Sequence, residues 1–397
     1  MSAGERDTSV SARDEPVSLD TLAVHAGAAE EVLGGAAVTP IYQSSTFAYP
    51  SGDLPLRYTR YGNNPTQVAL QARLAALEGA EAALVLASGM AAITTAILST
   101  CRAGDHVVAA ADLYGGSTDL LSHDAPRFGI EVTVVDDYDP AAWAEAIRPQ
   151  TRLLFWEAIA NPLLRVPDGP ALARLAQERG VASLVDATFA TPVNQRPLSF
   201  GVDLVMHSAT KYLGGHSDVI GGVLAGSAAR IEVAIERMRS LGGAIDPHAA
   251  FLVERGVKTL PLRMARHNAN GAAIAEFLAS HPRVERVWYP TLADHPDRAV
   301  AERVLTGSGG VVSFEPRASA RDAAVLAGRF RWIRLAPSLG GVESLVSLPI
   351  HTSHRHLAPQ ELERRGISDR MVRLALGIEA AEDLIADLDR ALATLPR

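Results

Sequence analysis

Short apolar runs alternate with amphipathic stretches through the middle of the chain. Residues 82–88 (AALVLAS), 105–110 (DHVVAA), 131–136 (EVTVVD), 152–158 (RLLFWEA), 181–186 (VASLVD) and 201–206 (GVDLVM) have the length and apolar content of buried strands. Stretches such as MAAITTAILST, PAAWAEAIRP and GPALARLAQERG lie between them and carry helical spacing. Strands that alternate with helices predict a largely parallel sheet covered on both faces. Binding groups in such sheets collect at the carboxyl ends of the strands.

The pattern changes near residue 250. Longer helical stretches appear, including HNANGAAIAEFLASHP, mixed with strands such as GGVVSFEP, and the chain closes on AAEDLIADLDRALATL. The expected organisation is an N-terminal tail and arm over residues 1–60, a large domain over 61–250 and a smaller domain over 251–397. The polar, charge-rich start, MSAGERDTSVSARDEPVS, predicts a mobile tail and contains no apolar core of a secretory signal.

Composition narrows the class. With 397 residues, 48% hydrophobic and 21% charged, the chain reads as a soluble protein with a sizeable core. Its net charge of −8 argues against a nucleic-acid footprint, and no apolar run is long enough to span a bilayer. A single cysteine, Cys101, excludes an intrachain disulfide, suits a reducing compartment and is expected to pack as a small hydrophobe. The expectation is a cytoplasmic α/β protein.

Candidate chemistry centres on HSATKYLGGHSDVIGG, residues 207–222. Lys211 follows the strand GVDLVM, flanked by Ser208, Thr210 and a run of glycines. A lysine amine becomes chemically useful when burial or a neighbouring charge lets it lose its proton, after which it can form a Schiff base with an aldehyde. Taken alone, the stretch reads equally well as a loop lysine among turn-forming glycines. Asp186 closes VASLVD, 25 residues earlier, and parallel strands would bring it to the same sheet edge. A carboxylate there could pair with a protonated pyridine nitrogen, although an aspartate after a strand also serves as a cap or turn residue. In ASGMAA, Ser88, Gly89 and Met90 join a strand to a helix whose first N–H groups could hold a phosphate. Tyr114, after DHVVAA, offers a ring that could stack on a flat heteroaromatic.

Several separated motifs in one order then resemble the pyridoxal-phosphate enzymes of cysteine and methionine metabolism, which include cystathionine γ-synthases, cystathionine γ-lyases and methionine γ-lyases. These are TLAVHAG, PIYQSSTF, SATKYLGGHSDV, SLGGVESLVSLP and MVRLALGIEAAEDLIADL, within about residues 20–395. The resemblance implies a type I pyridoxal-phosphate-dependent transferase fold, with a mostly parallel sheet and a smaller C-terminal α+β domain. It implies pyridoxal 5′-phosphate joined to Lys211, ring-nitrogen pairing by Asp186 and ring stacking by Tyr114. Asn161 would lie near the ring hydroxyl, with Thr188 beside the cofactor. Ser88, Gly89, Met90, Ser208 and Thr210 would hold the phosphate, while Tyr58 and Arg60 would reach the phosphate of a neighbouring subunit. That sharing implies a dimer, doubled to a tetramer. Ser338 and Arg373 would bind substrate, Arg373 through its α-carboxylate.

Some positions depart from the family pattern. YTRYGNNPT carries one extra residue, EAIANP lacks two threonines, Ala187 replaces an asparagine, and Pro337 stands where cystathionine-handling members carry glutamate. Gly116 stands where methionine γ-lyases carry a reactive cysteine. His351, His354 and His356 in HTSHRH lack a second ligand cluster, so no metal is expected. The activity implied is carbon–sulfur chemistry, leaning to γ-elimination, with γ-substitution on an O-acylated homoserine as the alternative. An aminotransferase and a non-catalytic binding protein are the competing readings.

Overall fold

A computed structural model describes residues 17–27, 35–48, 56–352, 355 and 358–396. The N-terminal segment expected to be a tail falls mostly outside these residues, as do His354 and His356.

Seven strands form the large sheet: β1 (Ala82–Leu86), β2 (His106–Ala110), β3 (Glu131–Val135), β4 (Thr151–Glu157), β5 (Ala182–Asp186), β6 (Leu204–Ser208) and β7 (Gly222–Gly226). Their order is β1-β7-β6-β5-β4-β2-β3. Strands β3, β2, β4, β5 and β6 run parallel, whereas β7 is antiparallel to both its neighbours. The six runs read from the sequence all become strands. β7 is the addition: GVLAG is short, bounded by glycines and lacks alternation.

The parallel core explains the composition of its strands. Val107, Val108, Leu153, Leu154, Phe155, Leu184 and Val205 are fully buried, because helices cover both faces. The amphipathic helix Gly169–Glu178 starts at Asp168, whose side chain accepts the N–H of Ala171. The helix Pro65–Glu78 begins on a capping box between Asn64 and Gln67 and stops at Gly79, in a left-handed conformation.

A second sheet of five strands contains β8 (Val284–Trp288), β9 (Val311–Pro316), β10 (Arg334–Leu335), β11 (Leu345–Ser347) and β12 (Val372–Ala375), in the order β10-β11-β12-β9-β8. Only the β10–β11 pair is parallel. The stretch GGVVSFEP supplies β9, and the chain's last helix is Ala381–Leu392. A helix of 21 residues, Leu260–Ser280, packs on both β8 and β9.

The two sheets are joined by charge and hydrogen bonds. Arg165, after β4, pairs with Asp297 at 2.5 Å, and Arg365 donates to the carbonyl of Ala111 just beyond β2. Cys101 is buried, and burial pushes its thiol up to about 12, so it packs as an inert hydrophobe. Among the described residues, no helix is long and apolar enough to cross a membrane.

Candidate active site

The carboxyl ends of β4, β5 and β6 open into a cavity of about 600 Å³. Ser88, Gly89, Met90, Tyr114, Asn161, Asp186, Thr188, Ser208, Thr210, Lys211, Ser338 and Arg373 all line it. Twelve positions scattered over nearly three hundred residues thus converge on one space. Tyr58 and Arg60 do not line it. Arg60 instead donates to the carbonyl of Arg239 at 2.5 Å and lies over the rings of Tyr58 and Tyr61.

Lys211 lies just past β6. Its Nζ donates to Ser338 Oγ at 2.8 Å. Burial, and then the charge of Arg373, lower the amine to about 8. The backbone under it is held by Arg263, which donates to the carbonyls of Tyr212 at 2.6 Å and Gly256 at 2.8 Å. Gly340 (φ +78°) packs against the same loop, and a Cβ there would fall 2.5 Å from the Tyr212 nitrogen. Only glycine lets the 338–340 turn approach so closely.

Asp186 ends β5. Its carboxylate accepts the backbone N–H of Thr188 at 2.9 Å, and Thr188 Oγ1 in turn accepts the N–H of Ser208 at 2.8 Å. Burial pushes Asp186 up from the ordinary carboxylate range, while the Thr188 hydrogen bonds and His207 pull it back. Directly alongside, in register on β4, stands Glu157. Burial and the charge of Asp186 hold Glu157 well above its usual range, so both carboxyls of this pair are pushed toward the neutral form.

Arg373, on β12, donates to Asn161 Oδ1 at 2.7 Å and to the Ser338 carbonyl at 3.3 Å. Burial lowers its guanidinium to about 10, still a cation at neutral pH. Its buried Nε has no hydrogen-bond partner among the described residues, a donor arrangement that suits an incoming carboxylate.

These features fit pyridoxal phosphate. The helix Gly89–Thr100 opens on the cavity, and Ser88 caps it by accepting the N–H of Ala91. A Cβ on Gly89 would meet Ser208 Cβ at 2.9 Å, so glycine keeps the cradle between Gly89 and Ser208 open. Tyr114 is 49% exposed on the cavity wall, an aromatic face open to the cavity. Gly116 has a local explanation: a Cβ there would come within 2.7 Å of the Tyr114 ring. The donor set therefore offers an amine, a carboxylate, a flat ring and a phosphate cradle around one space.

Glu157, Ile159, Phe189, Ile220, Thr352 and Arg355 also line the cavity and escaped sequence reasoning; His351, from the HTSHRH cluster, lines it too. Glu157 was within reach of it, since the rule that found Asp186, a carboxylate closing a buried strand, applies equally to RLLFWEA. The others carry no local signal.

The comparisons agree with this geometry. The model of the family described as Cys/Met metabolism PLP-dependent enzyme matches residues 20–393. The cystathionine γ-synthase of Mycobacterium tuberculosis (strain ATCC 25618 / H37Rv) is 45% identical over 376 residues, covering 94% of this chain and 96% of its own. The L-methionine γ-lyase of Pseudomonas putida is 39% identical, over 94% and 96%. The crystal structure of cystathionine γ-lyase from Lactobacillus plantarum, complexed with L-serine, superposes with a TM-score of 0.91 at 39% identity, over 96% of this chain and 99% of that one. This chain belongs to the Cys/Met metabolism family of pyridoxal-phosphate-dependent enzymes, the carbon–sulfur lyases and γ-replacement enzymes of trans-sulfuration.

Proposed function

We propose that the protein breaks the bond between Cγ and a heteroatom in an L-amino acid and, when a thiol is present, replaces the leaving group with sulfur. The reading is γ-substitution on an O-acylated homoserine. The observation that carries it is the charge of the cavity. Its only carboxylates among the described lining residues are Glu157 and Asp186, both at the strand ends, whereas Arg355 lines it as a further cation. With Pro337 in the lining, no acidic group receives a distal ammonium such as that of cystathionine. An uncharged or anionic acyl group meets no such penalty. The 45% identity to a cystathionine γ-synthase supports the same choice.

The second reading is γ-elimination from a sulfur amino acid, as in a cystathionine γ-lyase. The likeness to the Lactobacillus plantarum enzyme favours it.

Either way the chain's own residues divide the work. Arg373 grips the substrate α-carboxylate through its guanidinium, and Asn161 holds that guanidinium flat. Lys211 Nζ takes the proton from the substrate Cα and returns it further along the chain, with Ser338 Oγ fixing the amine between transfers. Pyridoxal phosphate, held by Ser88, Gly89, Met90, Ser208 and Thr210, supplies the aldehyde that captures amines and the ring that stores the carbanion's electrons. Asp186 would pair with the ring nitrogen and hold it protonated, and Tyr114 would stack on the ring and keep water from that face.

Tyr58 and Arg60 lie away from their own chain's cavity, which supports their reaching a second copy's phosphate. The functional unit is then a dimer, paired into a tetramer, working in the cytoplasm. The domain limits are those given by the change of pattern near residue 250.

A product assay tests the activity. The cofactor-loaded protein should replace the acyl group of an O-acylated homoserine with sulfide, and cysteine, whose ammonium meets the same lack of an acidic partner as that of cystathionine, should be the poorer nucleophile. Release of 2-oxobutanoate from L-cystathionine without condensation would instead establish the lyase reading, and inactivity in both assays would overturn each.

A further inference from the structure

We propose that Glu157 is the positioning residue of this site: its one buried carboxyl, through two backbone N–H groups, sets Tyr114 and Asn161, and through Asn161 it sets Arg373.

The connections are continuous. The backbone N–H of Tyr114 donates to Glu157 Oε1 at 2.6 Å. The backbone of Asn161 also hydrogen-bonds to the Glu157 carboxyl. Asn161 Oδ1 accepts from Arg373 Nη1 at 2.7 Å, Arg373 Nη2 donates to the Ser338 carbonyl, and Ser338 Oγ accepts from Lys211 Nζ. A single chain of hydrogen bonds therefore runs from the stacking ring to the amine, and Glu157 joins its first two members. Tyr114 is otherwise held through its carbonyl, which accepts the N–H groups of Ser117 and Thr118. It starts the short helix Gly115–Asp119 without a side-chain cap, and its ring is half exposed.

Glu157 is 4% exposed and stands beside Asp186. A second carboxyl there is costly unless it carries a proton or does structural work. Two N–H donors converging on it account for the work. Its neighbourhood is acidic: Asp186 in register and Asp112 on the loop that leads to Tyr114 both raise it. Glutamine keeps the Oε1 that accepts the Tyr114 N–H, so an amide of the same shape should serve. This separates it from Asp186, which must carry charge.

The inference rests on pyridoxal phosphate occupying the cavity described above, but not on which reaction follows. Its test is cofactor binding by the full-length protein, read by the visible circular dichroism of the bound cofactor and by its dissociation constant. E157A should weaken binding about tenfold or more and shrink the dichroic band as the ring loses its fixed orientation. E157Q should restore most of both. Substrate KM should rise in E157A more than kcat falls, because Arg373 loses its support through Asn161. An E157A protein with the wild-type band and affinity would overturn the proposal, as would E157Q being as impaired as E157A. Should E157A fail to fold, E157D, whose carboxyl is withdrawn by one methylene, replaces it with the same expectations. These readouts need no turnover, so failure of the γ-substitution assay would leave the result standing.

Discussion

Ser338 Oγ lies 2.8 Å from Lys211 Nζ, and Ser338 holds that place with a backbone φ of +97°. A residue with a side chain is strained there by about 1–3 kcal/mol. The strain is located where it serves the amine. S338A should lower kcat about tenfold, the scale of one hydrogen bond to a charged group. S338G should lose as much activity yet melt at a higher temperature than the wild type, because glycine relieves the backbone. Steady-state rates and thermal melts of the three proteins check this, and an S338G that melts lower would contradict it.

Lys211 should be reactive at unusually low pH. Its amine sits at about 8 because burial and then Arg373 disfavour the cation. In the cofactor-free protein, the rate of combination with pyridoxal phosphate should therefore rise through pH about 8 and level off well below the ordinary lysine value of 10.5. Stopped-flow absorbance across pH would show it. R373A should move the midpoint upward, since a repelling charge is removed.

Arg373 should be intolerant of lysine. R373K keeps the charge but gives up the paired N–H groups that meet Asn161 and a carboxylate together. The expectation is a KM raised by about tenfold or more, with cofactor absorbance retained. A KM within twofold of the wild type would remove Arg373 from substrate binding.

His267 predicts an acid limit on stability. Its ring donates from Nδ1 to the Leu376 carbonyl at 2.8 Å, and its buried Nε2 has no partner among the described residues. Burial lowers it from 6.5 to about 4. The unfolded chain binds the proton more readily, so stability falls as pH drops from about 6.5 to about 4. The loss attributable to this one residue is at most about 3 kcal/mol. In H267N the slope of melting temperature against pH across that window should be shallower. An unchanged slope would place the acid sensitivity elsewhere.

Strand ends were the most readable part of the sequence. Asp186 and Lys211 announce themselves because a polar residue closing a five-residue apolar run must sit at the open edge of a parallel sheet. Arg373 offers no such signal: on β12 it lies between Val372 and Leu374, and an arginine there reads as solvated when only its neighbours in sequence are known. Its burial depends on Asn161 and Ser338, distant along the chain. Arg263 was equally invisible, since apart from Thr259 Oγ1 its partners are backbone carbonyls that no side-chain pattern reveals. The antiparallel β7 was missed because its glycines erase the periodicity that marked the other strands.

Arg373 stands on the second sheet, whereas Lys211 stands at the edge of the first. The anchor and the base are thus two jaws of a caliper, and the ion pair between Arg165 and Asp297 is part of its screw. Reach along the substrate is then adjustable without touching either jaw. A substitution in the seam between the sheets would therefore change the span from anchor to base while every group lining the cavity stays the same.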